Sequence, residues 1–344
     1  MYKCIALDTR NLENAKAFLS NNITMGIEVT IPELAKMCSQ GNIDPQHGCH
    51  LGTYDNGSGW MELSTDHPGQ LMTSIPGMAA IEFAVKHCKP LTKGGGWHET
   101  MLPPDDMILV TIRPDLDSVG AMAVMALQLL ETNLESFDGC IKRIEAIAEM
   151  DNFSMSGWSG PKNLPTTENP WSNEPWFTRP LAAVAMMVAD YKVSLDERVQ
   201  MMMNWLMIGV EYGYYREYTE KERLDMVAAL ESGKIKHETR ADGKIAVVES
   251  THRAAVNIGY SLAPVVVACN PALRLGGGDP HLKYTVCAFE AGKFVDIKSA
   301  LAELNQLEAG WGGSLTIGGS PQGVNSQLTI DEVVSVVEKH LINN

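Results

Sequence analysis

Val110-Thr111-Ile112-Arg113-Pro114-Asp115-Leu116-Asp117-Ser118-Val119-Gly120-Ala121 is the stretch that decides how the chain is organised. The residues leading into it, Met107-Ile108-Leu109-Val110, form a short unbroken apolar run that predicts a buried strand over 106–111. The run stops at Arg113-Pro114, and small residues then lead into a helix expected over 120–131. A strand, a turn and a helix in that order is the building unit of an α/β fold. Asp115 and Asp117 would sit past the carboxyl end of the strand, where open α/β sheets place their ligands. Two crowded carboxylates repel, and a hard divalent cation relieves the repulsion through the oxygen ligands it prefers. The helix that follows offers N–H groups to an anion. The plainer alternative is a surface turn in which Asp117 caps the helix.

Upstream, Lys3–Leu7 is an apolar run ending at Asp8, followed by helical patterns over 11–19 and 31–38, the second with Pro32 where a missing N–H does no harm. Between Gly41 and Gly69 the chain is rich in Gly, Asp, His and Asn, with a strand-like piece at Trp60–Ser64 and two candidate ligand groups, Asp44/His47 and Asp66/His67. A helix is expected over 78–87 and a turn at Lys93–Gly96. After Glu131 the next carboxylates of interest are Asp138 and Asp151.

Residues 153–179 hold four prolines and three tryptophans and read as a long loop, leading to three helices near 180–189, 195–212 and 221–233. The methionines at 186, 187, 201, 202, 203 and 207 fall at helical spacing and read as core filler. Strand patterns return at 245–248, 265–268 and 284–289, then a helix at 298–307, a Gly-rich segment over 310–323 and a last helix at 330–342. The expected architecture is therefore α/β throughout. A mostly parallel-sheet domain over 1–152 and a smaller α/β domain over 236–344 are joined by a loop and helical connector over 153–235, with the site in the cleft between the domains.

The chain has 344 residues, ordinary hydrophobic (45%) and charged (20%) fractions, and 27 Lys+Arg against 42 Asp+Glu, a net charge of −15. So acidic a chain has no overall field for long duplex nucleic acid, whose affinity comes from Lys and Arg neutralising phosphates. A small anionic partner remains compatible if a cation or a local basic pocket offsets the carboxylates. The first residues lack the pattern of a signal peptide, and no apolar run approaches a membrane span. Seven scattered cysteines without a CxxC pair read as reduced thiols in a cytoplasmic protein.

Two segments resemble the DHH phosphoesterase family. Pro114, Asp115, Asp117, Ser118, Gly120 and Ala121 match its motif I, His-x-x-x-Asp-x-Asp-x-x-Gly, with Thr111 standing where the family has histidine. The segment from Gly310 to Gly323, with Gly312, Gly313, Ser314, Gly318 and Gly319, is similar to the Gly-Gly-Gly-His loop of the DHH-associated substrate domain, with Ser314 in place of the histidine. The family's Asp-His-His does not occur. Asp8 at a strand end is like its motif II, and Asp66-His67 is like a truncated motif III, which together imply a rearranged or permuted domain.

The resemblance implies divalent-metal-dependent hydrolysis of a phosphoester in a small substrate such as a short oligonucleotide, a cyclic dinucleotide or a phosphorylated metabolite. It implies two Mn²⁺ or Mg²⁺ ions. Asp115 and Asp117 would be ligands, Asp8, Asp44, Asp66 or Asp151 would complete the set, and His47 or His67 would ligate or protonate the leaving oxygen. The glycines of the loop, Ser314, His252, His281 and Lys283 would contact the substrate phosphate. A homodimer is compatible with this, and no membrane is involved. Two alternatives stay open: a catalytically degraded nucleotide-binding sensor or regulator of the same fold, and an unrelated enzyme in which both motifs are coincidental.

Overall fold

A computed structural model describes residues 2–39, 41–44, 50–51, 78–88, 107–130, 132–151, 157–172, 179–274 and 278–342. The fold is α/β. Two compact units divide the chain, one formed by 1–152 with 177–219, the other by 153–176 with 220–344. The 153–235 segment expected as a connector is thus shared between the units.

The first unit is built on β1 (Lys3–Ala6), β2 (Thr24–Ile27), β3 (Gly41–Ile43), β4 (His50–Leu51) and β5 (Ile108–Thr111) in the order β1-β5-β2-β3-β4. The first four strands of that order run parallel, and β4 pairs antiparallel with β3. The interior strand β5 is apolar on both sides because both faces are covered. Leu109 packs into a core with α3 (Ala80–His87), α4 (Leu116–Leu129), α5 (Cys140–Asp151), α6 (Arg179–Val188) and α7 (Leu195–Ile208). Val110 packs on the other face with α1 (Leu12–Ser20) and α2 (Pro32–Met37). Met187, Met202 and Met203 are buried in the larger core and Met186, Met201 and Met207 line it, so the methionines do fill space.

Two local devices fix the helices that carry site residues. Gly120 lets α3 close onto α4, since a Cβ there would lie 2.7 Å from Ile81 Cδ1. Arg143 of α5 reaches the carboxyl end of α7, donating from Nε to Leu206 O (2.9 Å) and from Nη2 to Met207 O (2.9 Å) and Asp138 O (2.8 Å). Gly209, at φ 68°, ends α7 in the left-handed conformation that glycine tolerates and leaves room for the guanidinium.

In the second unit, a six-stranded mixed sheet has the order β10-β11-β9-β8-β7-β6. Its strands are β6 (Lys236–Arg240), β7 (Ile245–Glu249), β8 (Val265–Leu273), β9 (His281–Ala288), β10 (Gly312–Gly313) and β11 (Ile317–Gly319). Alternate residues of β7–β9 face two cores. Val247, Val267 and Val286 meet α10 (Ile297–Leu307) and α11 (Ile330–Lys339), while Val248, Val266 and Phe289 meet α9 (Ala255–Tyr260), Trp158 and the end of α8 (Gly213–Glu231). The expected loop over 310–323 thus contains a glycine hairpin that extends the sheet. Among the described residues no helix is long and apolar enough to cross a membrane. The six described cysteines form no disulfide and are buried.

Replacing Arg143 by Met removes three charge-assisted hydrogen bonds and is expected to cost about 2 kcal/mol of stability, read as a lower urea midpoint with an unchanged slope.

Candidate functional site

Helix α4 begins at Leu116, four residues before its expected start, so the two aspartates take different jobs. Asp115 is the N-cap: its Oδ1 accepts from Ser118 N (2.9 Å) and from Ser118 Oγ (2.8 Å). Asp117 sits inside the first turn, 2% exposed. Its Oδ2 accepts from Ala80 N (2.6 Å) and its Oδ1 from Ile81 N (2.8 Å). Asp117 therefore caps α3, a helix nearly forty residues away in sequence, and not its own helix.

Glu28, which the sequence reading passed over, joins this group. It follows β2, at the same end of the sheet as Asp44 after β3 and Asp115 after β5. Its backbone is left-handed (φ 54°), a conformation that costs a non-glycine residue on the order of 1 kcal/mol. Burial first, and then the charges of Asp117, Asp115, Asp151 and Asp44, push the Glu28 carboxyl up to about 11. Asp117 is pushed up to about 8 by burial and by the Asp151 and Asp115 charges, against the opposing pull of the Ile81 and Ala80 N–H groups. Asp44 is buried, whereas Asp115 and Asp151 are exposed. Four carboxylates thus act on Glu28, and two of them act on Asp117 as well.

The donor set is all oxygen, which suits a hard divalent cation. Thr111 Oγ1, fully buried at the end of β5, has no hydrogen-bond partner among the described residues, so it is one more oxygen that could serve as a donor. Among the described residues no three His, Cys, Asp or Glu side chains are grouped closely enough to hold a metal ion together.

Asp8 stands apart from the group. It is exposed and held by Arg10 through Nε to Oδ1 (2.8 Å) and Nη2 to Oδ2 (3.0 Å), which pulls its carboxyl below the ordinary range. His47, Asp66 and His67 lie outside the described residues, as do the strand expected at 60–64 and the turn at 93–96.

In the second unit, a hollow of about 500 Å³ is walled by Gly310, Gly312, Gly313, Gly318 and Gly319, with Lys283, Thr285, Ser320 and Gln322. The hairpin needs its glycines: a Cβ on Gly313 would lie 2.2 Å from Ile317 O, and one on Gly318 would lie 2.3 Å from Leu301 Cδ1. Trp311 anchors the segment. It stacks on Tyr284, with ring centroids 6.2 Å apart, and donates from Nε1 to Glu308 Oε2 (2.8 Å). Glu308 also accepts from Ser326 Oγ (2.8 Å) and Gln327 N (2.6 Å), closing the loop after the hairpin. Lys283 donates from Nζ to Ser320 O, and burial lowers its pKa. A half-buried ammonium beside bare backbone is an environment for an anion.

Of the predicted substrate contacts, Gly312, Gly313, Gly318, Gly319 and Lys283 come together here. Ser314 does not line this hollow. Its N–H donates to Ile317 O (2.7 Å) and its Oγ accepts from Ile317 N (3.3 Å), so it makes the hairpin turn. His252 and His281 are also elsewhere. His252 Nδ1 accepts from Ala254 N (3.1 Å) ahead of α9, and burial lowers its pKa. His281 is buried at the start of β9, with Nδ1 3.3 Å from Asp279 O.

No family model matches the chain. No curated protein matches it either.

The raised carboxyls have a consequence for pH. Between the unfolded value near 4.3 and about 11, folded Glu28 holds a proton that the unfolded chain releases, so stability falls as pH rises through that window. Glu28→Gln removes this dependence. In metal-free buffer at pH 8 its melting temperature is expected to exceed that of the wild type by several degrees, with the gap closing towards pH 4 in a thermal melt series.

Proposed function

We propose that the chain is a divalent-metal-dependent phosphoesterase acting on a small anionic substrate. The observation that carries this is that the charges of Asp44, Asp115, Asp117 and Asp151 all bear on the buried Glu28 past the carboxyl end of β2. The DHH-like motif around Asp115 and Asp117 and the glycine hairpin beside Lys283 support the same reading. Asp115, Asp44, Asp151 and Glu28 would hold Mn²⁺ or Mg²⁺, two ions in the reading the resemblance implies, with His47, Asp66 or His67 as further ligands. Bound there, the ions supply charge stabilisation at phosphorus and a water nucleophile at neutral pH.

The chain's own groups do the rest. Asp117, committed to Ala80 and Ile81, fixes α3 against α4 and holds the Asp115 turn in place. Glu28 and Asp117 carry protons near neutrality in the metal-free chain and give them up when a cation arrives. Lys283 and the backbone of Gly312, Gly313, Gly318 and Gly319 bind the substrate phosphate. The net charge of −15 favours short oligonucleotides, cyclic dinucleotides and phosphorylated metabolites over polymers. A cytoplasmic location accords with the free thiols, and a homodimer is compatible with the reading.

One observation favours a second reading, a nucleotide-binding sensor or regulator that has lost catalysis. Both oxygens of Asp117 already receive backbone N–H groups, and Thr111 replaces the histidine of the motif it resembles.

The test is hydrolysis of an aryl phosphodiester and a panel of short oligonucleotides. Wild type is expected to need Mn²⁺, and Asp115→Asn with Asp117→Asn to lose at least about 10³-fold in kcat. Lys283→Ala is expected to raise KM with kcat little changed. Mn²⁺ binding without turnover on any of these substrates supports the sensor instead.

A further inference from the structure

We infer that Asn42 is a positioning residue, its side-chain amide holding the left-handed turn that delivers the Glu28 carboxylate to the acidic group; this rests on reading that group as a cation site. Asn42 lies in β3 opposite Gly26 of β2 and is 3% exposed. The two strands part after Ile27, and Glu28 N donating to Ile43 O (2.8 Å) is the last ladder bond between them. Beyond it the chain would lose its partner. The Asn42 amide supplies one: Oδ1 accepts from Val29 N (3.1 Å) and Nδ2 donates to Val29 O (3.3 Å).

A primary amide is the one short side chain that offers a donor and an acceptor side by side, as a neighbouring peptide group would. Aspartate would turn an acceptor towards the Val29 carbonyl and add charge to a region already crowded with it. Glutamine would place the amide one methylene too far. The amide also needs space over β2, which Gly26 provides: a Cβ at position 26 would fall 2.4 Å from Asn42 Oδ1 and 3.1 Å from its Cγ. Val29 is buried between α1 and α2, so the far side of the turn is fixed as well.

Glu28 is therefore held between Ile27, tied into the sheet, and Val29, tied to Asn42. A glutamate stays at φ 54° only where its surroundings leave no alternative. Gly26, Asn42 and Val29 together impose that conformation, and Asn42 acts on the site through Glu28 alone.

Calorimetric Mn²⁺ titrations of the full chain test this with Asn42→Ala, Glu28→Gln and the double variant. Each single change is expected to weaken Mn²⁺ binding about tenfold or more, and the double variant to bind no more weakly than Glu28→Gln. Effects that multiply, or an Asn42→Ala variant with unchanged affinity, would overturn the inference. Thermal melts of Asn42→Ala made in wild type and in Glu28→Gly decide the clamp without any metal. Glycine adopts the turn unaided, so the loss of melting temperature is expected to be much smaller in the Glu28→Gly background, and equal losses would contradict it. If wild type binds no Mn²⁺, the cation-site reading fails and these melts alone decide the role of Asn42. If Asn42→Ala does not fold, the pair with Glu28→Gly is expected to fold, and failure of both again contradicts the clamp.

Discussion

Burial of Glu28 and Asp117 beside other carboxylates is the constraint on which the carboxyl end of the first sheet depends. Desolvation first, and then the neighbouring charges, raises the proton affinity of both. Asp117 escapes part of the penalty by taking two backbone N–H groups from the start of α3, whose partial positive charge favours a carboxylate. That pair of hydrogen bonds ties α4 to α3, and Gly120 allows the two helices to approach closely enough for it to form. Glu28 instead keeps its proton.

The second unit is arranged around the opposite need. A glycine hairpin without side chains and the half-buried Lys283 expose backbone and one cation to a hollow, and Glu308 braces the loop from behind through Trp311, Ser326 and Gln327.

Much of this was legible in the sequence. The unbroken Ile-Leu-Val run before Arg113-Pro114 announces a strand buried on both faces, and it proves to be β5, an interior strand flanked by β1 and β2. Strands β2 and β3 were not legible, because Thr24-Met25-Gly26-Ile27 has weak strand propensity and Gly41-Asn42-Ile43 is three residues long. Their burial by α1, α2 and the larger core decides the matter, and local propensity does not. Glu28 went unseen with β2, although a lone carboxylate after an apolar pair repeats the pattern of Leu7-Asp8 and Ile43-Asp44. The role of Asp117 was hidden for another reason. A cap that joins residues 80 and 117 leaves no short-range signature, whereas Asp115 with Ser118 is a local capping pair. The glycine segment forms a hairpin that walls a hollow with Lys283, while Ser314 makes the hairpin turn and the two histidines lie elsewhere, placements that depend on strand pairing no local pattern reveals.

The central claim is that Glu28 and Asp117 hold protons that a divalent cation bound beside them would displace. Titrating Mn²⁺ into the chain by calorimetry at pH 7, in two buffers of different ionisation enthalpy, counts the protons released. Binding that releases about one proton or more per chain is the predicted result, since Glu28 and Asp117 both titrate above that pH. Mn²⁺ that fails to bind, or that binds without displacing a proton, would contradict the account.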